Sequence, residues 1–264
     1  DNSAIDENIA GDTVGTLSST DAESDSVSYT IADSGDGGSF EIDGSTLKLK
    51  DSVTADRETK ASYTVTVNAS DATDTTSQAF TISVGDVNEA PTLTVPTGGS
   101  VTEDASTSTI TGSLTSSDPE NDTPSYSVVG STATDGAYTV TGSYGTLVLN
   151  ATTGAYTYTL NNTATAVQTL GGSSSVTETF SVQVTDGANT PDAQSLSFTI
   201  QGANDAPKIT VSGLSDIEEN STNAIAATVS ASDAEDSAPT VALSGNGRDD
   251  AKFEVVDGKL RIKT

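Results

Sequence analysis

Acidic residues recur along the chain in pairs that keep their spacing. One series is Glu7-Asn8, Glu103-Asp104 and Glu219-Asn220, and a second is Asp21-Ala-Glu23, Asp118-Pro-Glu120 and Asp233-Ala-Glu235. The first series precedes the second by 14, 15 and 14 residues respectively. Calcium prefers roughly six to eight oxygen ligands from carboxylates, carbonyls and Asn side chains. Acids that hold register across three repeats therefore indicate calcium ligands rather than scattered solubilising charge.

A second repeated motif divides the chain into domains. Asn88-Glu-Ala-Pro91 recurs as Asn204-Asp-Ala-Pro207, 116 positions later, and each copy precedes a new alternating segment. Proline fixes φ and removes a backbone donor, which suits a junction between domains. We therefore expect domains at 1–90 and 91–206, followed by the N-terminal half of a further domain at 207–264.

The elements that must position these acids are β-strands. Apolar and polar residues alternate in Tyr63–Val67, Phe80–Val84, Tyr156–Leu160, Phe180–Val184 and Leu196–Ile200. A period of two with many Thr and β-branched residues predicts strands with one buried face. Asp257-Gly258 between two such runs predicts a hairpin, and only Ala164 to Leu170 suggests one helical turn. The sequence predicts an all-β chain of tandem Greek-key sandwiches of the immunoglobulin type, joined end to end.

Composition narrows the possible functions. The chain has 38 acidic and 10 basic residues, for a net charge of -28, and no His, Cys or Trp. This charge excludes nucleic acid as a partner, because binding it requires a basic surface. The sequence contains no apolar stretch of about 18 residues, so we predict no membrane insertion. Triads that use His, Cys nucleophiles and ordinary zinc sites are excluded. A glycosidase carboxylate pair would need an aromatic-lined cleft, so we predict that the chain is not an enzyme.

The motifs resemble those of known extracellular repeats. Residues 1–90 resemble a cadherin repeat through Glu7-Asn8, Asp21-Ala-Glu23, Asp56-Arg-Glu58, Asp71 and Asp86-Val-Asn-Glu-Ala-Pro91, in family order. The linker departs from the usual Asp-x-Asn-Asp pattern but keeps a carboxylate. Residues 91–206 look like a VCBS repeat, through Thr102-Glu-Asp-Ala105, Asp118-Pro-Glu120 and Gly202-Ala-Asn-Asp-Ala-Pro207 among others. Residues 207–264 resemble half of another cadherin-like repeat, and the whole is similar to a segment of an RTX-type giant bacterial adhesin.

The resemblance implies a set of Ca²⁺ ligands. At the first junction these are Glu7, Asp56, Glu58, Asp86, the Val87 carbonyl, Asn88, Glu89, Asp118, Glu120 and Asp186. At the second junction they are Glu103, Asn204, Asp205, Asp233 and Glu235. Residues 91–206 lack a counterpart of Asp56-Arg-Glu58, so we expect the second junction to be poorer in ions. Asp21, Glu23 and Asp71 would serve a junction with a preceding module.

These expectations point to a spacer. Calcium ions shared between consecutive modules would stiffen a monomeric rod on the bacterial cell surface or in a secreted adhesin, with neighbouring modules of the same chain as its partners. A host or surface glycan or protein would then be bound through another module. Two alternatives remain open. One module, most plausibly 91–206 with its five tyrosines or a domain completed by 207–264, could itself bind a glycan or peptide. The segment could also make homophilic contacts, although it lacks the Trp anchor of vertebrate cadherins.

Overall fold

The computed structural model describes residues 4–71 and 73–263, and its chain divides into two compact units. The first comprises Asp1–Pro91 together with Ser117–Thr123, and the second comprises Thr92–Ser116 and Pro124–Thr264. The segment Ser117–Thr123 contains the acidic motif Asp118-Pro-Glu120, which therefore packs with the first unit. Within the described residues, no helix has the length and apolar character needed to cross a membrane.

The first unit is a sandwich of two sheets. Its strands are β1 (Ala4–Asp6), β2 (Thr13–Thr16), β3 (Ser28–Ile31), β4 (Phe40–Asp43), β5 (Thr46–Leu49), β6 (Ser62–Ser70) and β7 (Thr75–Gly85). One sheet has the order β1-β7-β6-β3 and the other β2-β5-β4. The short β1 runs parallel to the end of β7. This pairing places the residue that follows β1 beside the residues that follow β7.

The core of the first unit follows from the alternation in its strands. Tyr63, Val65 and Val67 of β6 are buried while the intervening residues face outward. They pack against Phe40 of β4 and Leu49 of β5 in one apolar cluster. The rings of Phe40 and Tyr63 meet edge to face with centroids 5.5 Å apart, a favourable aromatic geometry. The predicted strands at 63–67 and 80–84 are confirmed.

The second unit contains a larger sandwich. Its strands are β8 (Thr92–Thr94), β9 (Ser100–Thr102), β10 (Thr109–Ser113), β11 (Thr115–Ser117), β12 (Ser125–Val128), β13 (Ala137–Thr141), β14 (Gly145–Asn150), β15 (Ala155–Leu160), β16 (Ser175–Thr185) and β17 (Gln194–Gln201). The two main sheets have the orders β12-β16-β17-β9 and β10-β15-β14-β13. Tyr158 and Phe198 stack across the core with centroids 4.3 Å apart. The predicted strands at 156–160, 180–184 and 196–200 are confirmed.

The predicted helical turn is also present. Helix α1 (Thr165–Gln168) lies between β15 and β16, and Val167 anchors it in the core with no exposed surface. Its last residue, Gln168, is only half-buried. The turn thereby presents a polar side chain at the end of the sandwich, near the start of the segment that follows β17.

The remaining strands of the second unit form one further sheet. They are β18 (Lys208–Ser212), β19 (Ile225–Ser232), β20 (Phe253–Val256) and β21 (Lys259–Ile262), in the order β18-β19-β21-β20. The hairpin predicted from Asp257-Gly258 is confirmed, with Phe253 opposite Ile262. This register matches that of Phe40 opposite Leu49 in the first unit. Phe253 and Ile262 are half-buried, however, whereas Phe40 and Leu49 are almost fully buried.

Candidate metal centre

Four glutamates converge at one end of the first unit. Glu7, Glu58, Glu89 and Glu120 each bring a carboxylate oxygen to within 4.8 Å of the others. They come from the end of β1, the loop before β6, the segment after β7 and the segment Ser117–Thr123. All four are among the ligands expected from the sequence. The structure therefore brings together carboxylates that are up to 113 positions apart in the chain.

Glu7 is the most deeply buried member of this group. Its side chain is 1% exposed. Its Oε1 accepts the backbone N–H of Val87 at 2.7 Å, and its Oε2 accepts the backbone N–H of Arg57 at 2.7 Å. Its own N–H donates to the carbonyl of Gly85 at 3.3 Å, which continues the pairing of β1 with β7. The Glu7 carboxylate is thus fixed between the loop before β6 and the segment after β7.

The opposite side of the group is formed by buried oxygens that lack a donor. Both carboxylate oxygens of Glu120 and the Oδ2 of Asp118 are buried without a hydrogen-bond partner. The Oδ1 of Asp118 accepts the N–H of Asp122 at 3.0 Å, which closes this loop. An ionised oxygen that is removed from water without a donor is costly. A bound cation would offset this cost.

The pKa of two glutamates reflects this crowding. The facing carboxylate of Glu120, together with partial burial, raises the pKa of Glu89 from 4.5 to about 7. Burial, together with the nearby charges of Glu7, Glu120 and Asp86, raises the pKa of Glu58. Two facing carboxylates contain no donor unless one of them is protonated. The cluster therefore requires either a bound proton or a bound cation to relieve its repulsion.

The other expected ligands of this group lie in the same unit, with one exception. Asp56 caps its own loop, with its two oxygens accepting the N–H of Thr59 at 2.8 Å and the hydroxyl of Thr59 at 2.9 Å. Asp86 forms an ion pair with the guanidinium of Arg57. The side-chain amide of Asn88 donates to the carbonyl of Glu89 at 2.9 Å. The exception is Asp186, which belongs to the second unit.

Asp186 organises a turn in the second unit. Its Oδ1 accepts the backbone N–H groups of Ala188 at 2.7 Å and Asn189 at 2.6 Å. These are the bonds of an Asx turn.

A second set of acids is assembled within the second unit. Glu103 follows β9, is 1% exposed, and accepts the N–H of Ala203 at 3.2 Å and the side-chain amide of Gln168 at 2.8 Å. The amide of Asn204 donates to the carbonyl of Asp205 at 2.7 Å, as Asn88 does in the first unit. The sequence did not identify Gln168 as a site residue. Its only signal was its place in the one predicted helical turn.

The acids that follow β19 complete this second set. The Oδ1 of Asp233 accepts the N–H groups of Glu235 at 3.1 Å and Asp236 at 2.8 Å. Both carboxylate oxygens of Glu235 are buried without a partner. Burial, the neighbouring Asp233 and the charge of Asp205 raise the pKa of Glu235. Glu235 therefore corresponds to Glu120 both in its motif and in the burial of its two carboxylate oxygens.

The acids expected to face a preceding module form a third, looser set. Asp21 and Asp71 line one cavity of about 160 Å³. The Oδ1 of Asp21 accepts the N–H of Glu23 at 3.0 Å. Backbone N–H groups of Asp74 and Thr73 lower the pKa of Asp71, so that carboxylate is stabilised in its charged form. These acids have local partners, in contrast to Glu120 and Glu235.

Two family models match the chain. Residues 1–85 match the cadherin domain, and residues 88–202 match the bacterial cadherin-like domain. The fold is cadherin-like. Neither of these families is enzymatic, and such domains commonly act in adhesion and as extended spacers. No curated protein matches the chain.

Solved structures give the same fold at low sequence identity. Repeats EC22–24 of mouse cadherin-23 are 16% identical with a TM-score of 0.59, over 99% of this chain and 84% of that one. Extracellular domains 3–6 of protocadherin gamma B2 are 18% identical with a TM-score of 0.56, over 99% of this chain and 62% of theirs. Repeats EC21–23 of human CDH23 are 15% identical with a TM-score of 0.55, over 99% of this chain and 87% of that one.

Proposed function

We propose that this chain is a calcium-stiffened spacer of a bacterial cell-surface adhesin. The observation that carries the proposal is the pair of buried Glu120 oxygens, which face three other glutamates and have no donor. Calcium binding is typical of cadherin domains. The site offers only oxygen ligands, which suit calcium better than zinc or copper.

The electrostatics of the whole chain favour the same cation. A net charge of -28 opposes a compact state through self-repulsion. Each bound calcium ion removes two negative charges from the place where they are most crowded. The ion would also supply the attraction that the buried oxygens of Glu120 lack, whereas Glu89 already accepts the side-chain amide of Asn8. Calcium would therefore stabilise the folded state at the point where the carboxylates now destabilise it.

The source of the ligands explains how calcium could stiffen the chain. We propose that the chain is organised as modules 1–90, 91–206 and 207–264. Glu7, Glu58 and Glu89 then belong to the first module or its linker, and Glu120 belongs to the next. An ion held by all four would connect two modules and restrict the linker between them. Asp56, Asp86, the Val87 carbonyl, Asn88 and Asp118 would supply further oxygens.

The biological setting is part of the same proposal. The match to a bacterial cadherin-like domain and the acidic, His-free and Cys-free composition support a secreted or surface-exposed bacterial protein. The segment would hold a binding module of the parent adhesin, of the RTX and VCBS-containing type, away from the cell. Its direct partners would be the neighbouring modules of the same chain.

The alternative that residues 91–206 bind a glycan loses its main support. Tyr126, Tyr156 and Tyr158 are at most 5% exposed, and Tyr138 and Tyr144 are partly buried against the same core. Aromatic rings inside a sandwich cannot stack on a sugar. The tyrosines therefore act as core residues, and the spacer remains the better interpretation of this module.

Small-angle X-ray scattering in calcium and in EDTA tests the stiffening. We expect a narrow distribution of dimensions in calcium and a broader one, with altered maximum dimension, in EDTA. The Glu58→Gln, Glu120→Gln double variant should resemble the EDTA sample even in calcium. The Asp33→Asn, Asp43→Asn variant removes two charges from turns outside the site and should retain the calcium response. Identical scattering of the wild-type chain in both buffers would refute the proposed stiffening.

A further inference from the structure

The equivalent buried glutamates Glu7 and Glu103 have different second partners. Glu7 accepts a backbone N–H from the loop that also carries Glu58. Glu103 accepts instead the side-chain amide of Gln168, at 2.8 Å. In the first unit a negatively charged side chain stands next to the buried glutamate, whereas in the second unit a neutral amide donates to it. Gln168 thus supplies to Glu103 the second hydrogen bond that the Arg57 N–H supplies to Glu7, and it adds no carboxylate beside the buried glutamate.

The segment after β17 also lacks a carboxylate that the segment after β7 has, for a steric reason. Gly202-Ala203-Asn204 corresponds to Asp86-Val87-Asn88 in the repeated linker. Gly202 is buried, and a Cβ at this position would collide with the carbonyl oxygen of Leu170, just beyond helix α1. The N–H of Gly202 is itself bonded to the carbonyl of Ser174 at 2.9 Å. A carboxylate therefore cannot be accommodated where the first unit has Asp86.

The charge available to the second set is correspondingly smaller. Its acids are Glu103, Asp205, Asp233 and Glu235, whereas the first set has seven: Glu7, Asp56, Glu58, Asp86, Glu89, Asp118 and Glu120. Asp205 and Asp233 line a cavity of about 270 Å³ that Gln168 and the cationic Lys208 also line. Among the described residues, the four glutamates of the first unit are the only group of three or more acids whose carboxylate oxygens all lie within 4.8 Å of one another.

The second set nevertheless retains a reason to bind a cation. Both carboxylate oxygens of Glu235 are buried, and its neighbouring side chains are the acids Asp205 and Asp233 rather than donors. These three acids come from the linker and from the loop after β19. They come from elements other than helix α1, and Gln168 lines the same cavity as Asp205 and Asp233. These acids therefore still favour a cation, whereas beside Glu103 the neutral Gln168 adds no carboxylate.

We propose that Gln168 takes the place of an acidic calcium ligand beside Glu103, so that the second set binds at least one ion fewer than the first. The inference rests on the proposed calcium-binding function. Gln168 gives Glu103 a neutral donor where the first set has the charged Glu58 nearby, and the remaining ion is held by Asp205, Asp233 and Glu235. The two sets then load with calcium in separate steps, with the richer first set binding at lower calcium concentration.

The test converts the amide into a carboxylate in the full chain. Gln168→Glu should bind one additional calcium ion, counted by native mass spectrometry and by isothermal titration calorimetry. In EDTA its midpoint of thermal unfolding should fall, because the new charge repels Glu103, and calcium should restore it to at least the wild-type value. Gln183→Glu, on strand β16, adds the same charge elsewhere in the unit and should leave the ion count unchanged.

A second variant tests whether the Gln168 side chain is itself a ligand of the ion. Gln168→Ala should lower the midpoint in both EDTA and calcium, because Glu103 loses its donor, but should bind as many ions as the wild-type chain. A reduced ion count in Gln168→Ala would overturn the proposal, and so would an unchanged count in a folded Gln168→Glu chain. If the wild-type chain binds no calcium, the proposed function fails. If it binds calcium but Gln168→Glu gains no ion, only this inference fails.

Discussion

Glu7 and Glu103 occupy equivalent positions in the two sandwiches, 1% exposed and bonded to the linker that follows. Glu7 accepts the N–H of Val87, and Glu103 accepts the N–H of Ala203. In each case a short parallel strand, β1 or β9, delivers the glutamate to the end of a long strand, β7 or β17. The same connection is therefore built twice, in different electrostatic surroundings.

This difference predicts that calcium changes the cost of removing Glu7. In EDTA, Glu103→Ala should lower the free energy of unfolding by about 1–3 kcal/mol, because two donors lose their acceptor. Glu7→Ala should cost less in EDTA, since its removal relieves repulsion from Glu58, Glu89 and Glu120. In millimolar calcium the cost of Glu7→Ala should grow, because an ion loses a ligand. Urea denaturation in both buffers measures this, and equal costs of Glu7→Ala in both would contradict the account.

The unpartnered oxygens of Glu120 give a prediction in which affinity and stability change in opposite directions. Glu120→Gln should weaken calcium binding by at least about tenfold, because ligand charge sets calcium affinity. The same variant should be more stable than the wild-type chain in EDTA, because a buried unpaired charge is removed. Asp33→Asn removes one exposed charge and should change neither quantity appreciably. Calorimetry measures the affinity and thermal unfolding measures the stability. Lower stability of Glu120→Gln in EDTA would be inconsistent with a carboxylate that is buried without a donor.

The raised pKa of Glu89 predicts a pH dependence. The folded, calcium-free chain holds a proton on Glu89 up to about pH 7, whereas the unfolded chain releases it near 4.5. Its contribution to stability in EDTA is therefore complete below pH 4.5 and is lost as the pH rises to 7. Calcium must displace this proton, so its affinity should fall about tenfold per pH unit below 7. Calorimetry between pH 5.5 and 8 measures the slope.

A substitution at Glu89 isolates this proton. Glu89→Gln cannot titrate, so its calcium affinity should be weaker at pH 8 but nearly independent of pH between 5.5 and 8. A pH slope in the variant equal to that of the wild-type chain would assign the proton to another group.

The core of the second unit supplies a prediction that calcium should not affect. Glu178 is 7% exposed and accepts the hydroxyl of Tyr158 at 2.7 Å and the N–H of Tyr144 at 3.0 Å. Burial raises the pKa of Tyr158, which remains a donor at all ordinary pH values. Tyr158→Phe should cost about 1–3 kcal/mol of unfolding free energy. The cost should be the same in EDTA and in calcium, as measured by urea denaturation.

The sequence predicted the strands and their buried faces, but it predicted only the identity of the acidic ligands and not their surroundings. Alternation in Tyr63–Val67 and Phe180–Val184 determines which side chains enter a core, because the side-chain period of a strand is two. The repeated acidic motifs indicated Glu7 and Glu120, and the resemblance to a cadherin repeat added Glu58 and Glu89, before their convergence was visible. Burial of the Glu7 carboxylate, and the lack of a donor at Glu120, depend on long-range pairing that no local pattern encodes.

Gln168 shows where sequence reasoning stopped. The absence of an Asp-x-Glu motif in residues 91–206 was visible, and it predicted a poorer second site. What fills the gap was not visible, because Gln168 is 65 positions from Glu103 and lies in a helical turn whose position is set by the burial of Val167. The collision that keeps Gly202 free of a side chain arises from the same turn.

Thermal unfolding of the intact chain in EDTA, in millimolar magnesium and in millimolar calcium tests the central claim most directly. Ligands that bind only the folded state stabilise it by about 2.7 kcal/mol per site at 100 times their Kd. Each kcal/mol raises the midpoint by roughly 2–4 °C for a chain of this size. We therefore expect calcium to raise the midpoint by about 10 °C or more and magnesium to raise it far less. Equal midpoints in EDTA and calcium would mean that the converging glutamates do not bind calcium and that the chain is not a calcium-dependent spacer.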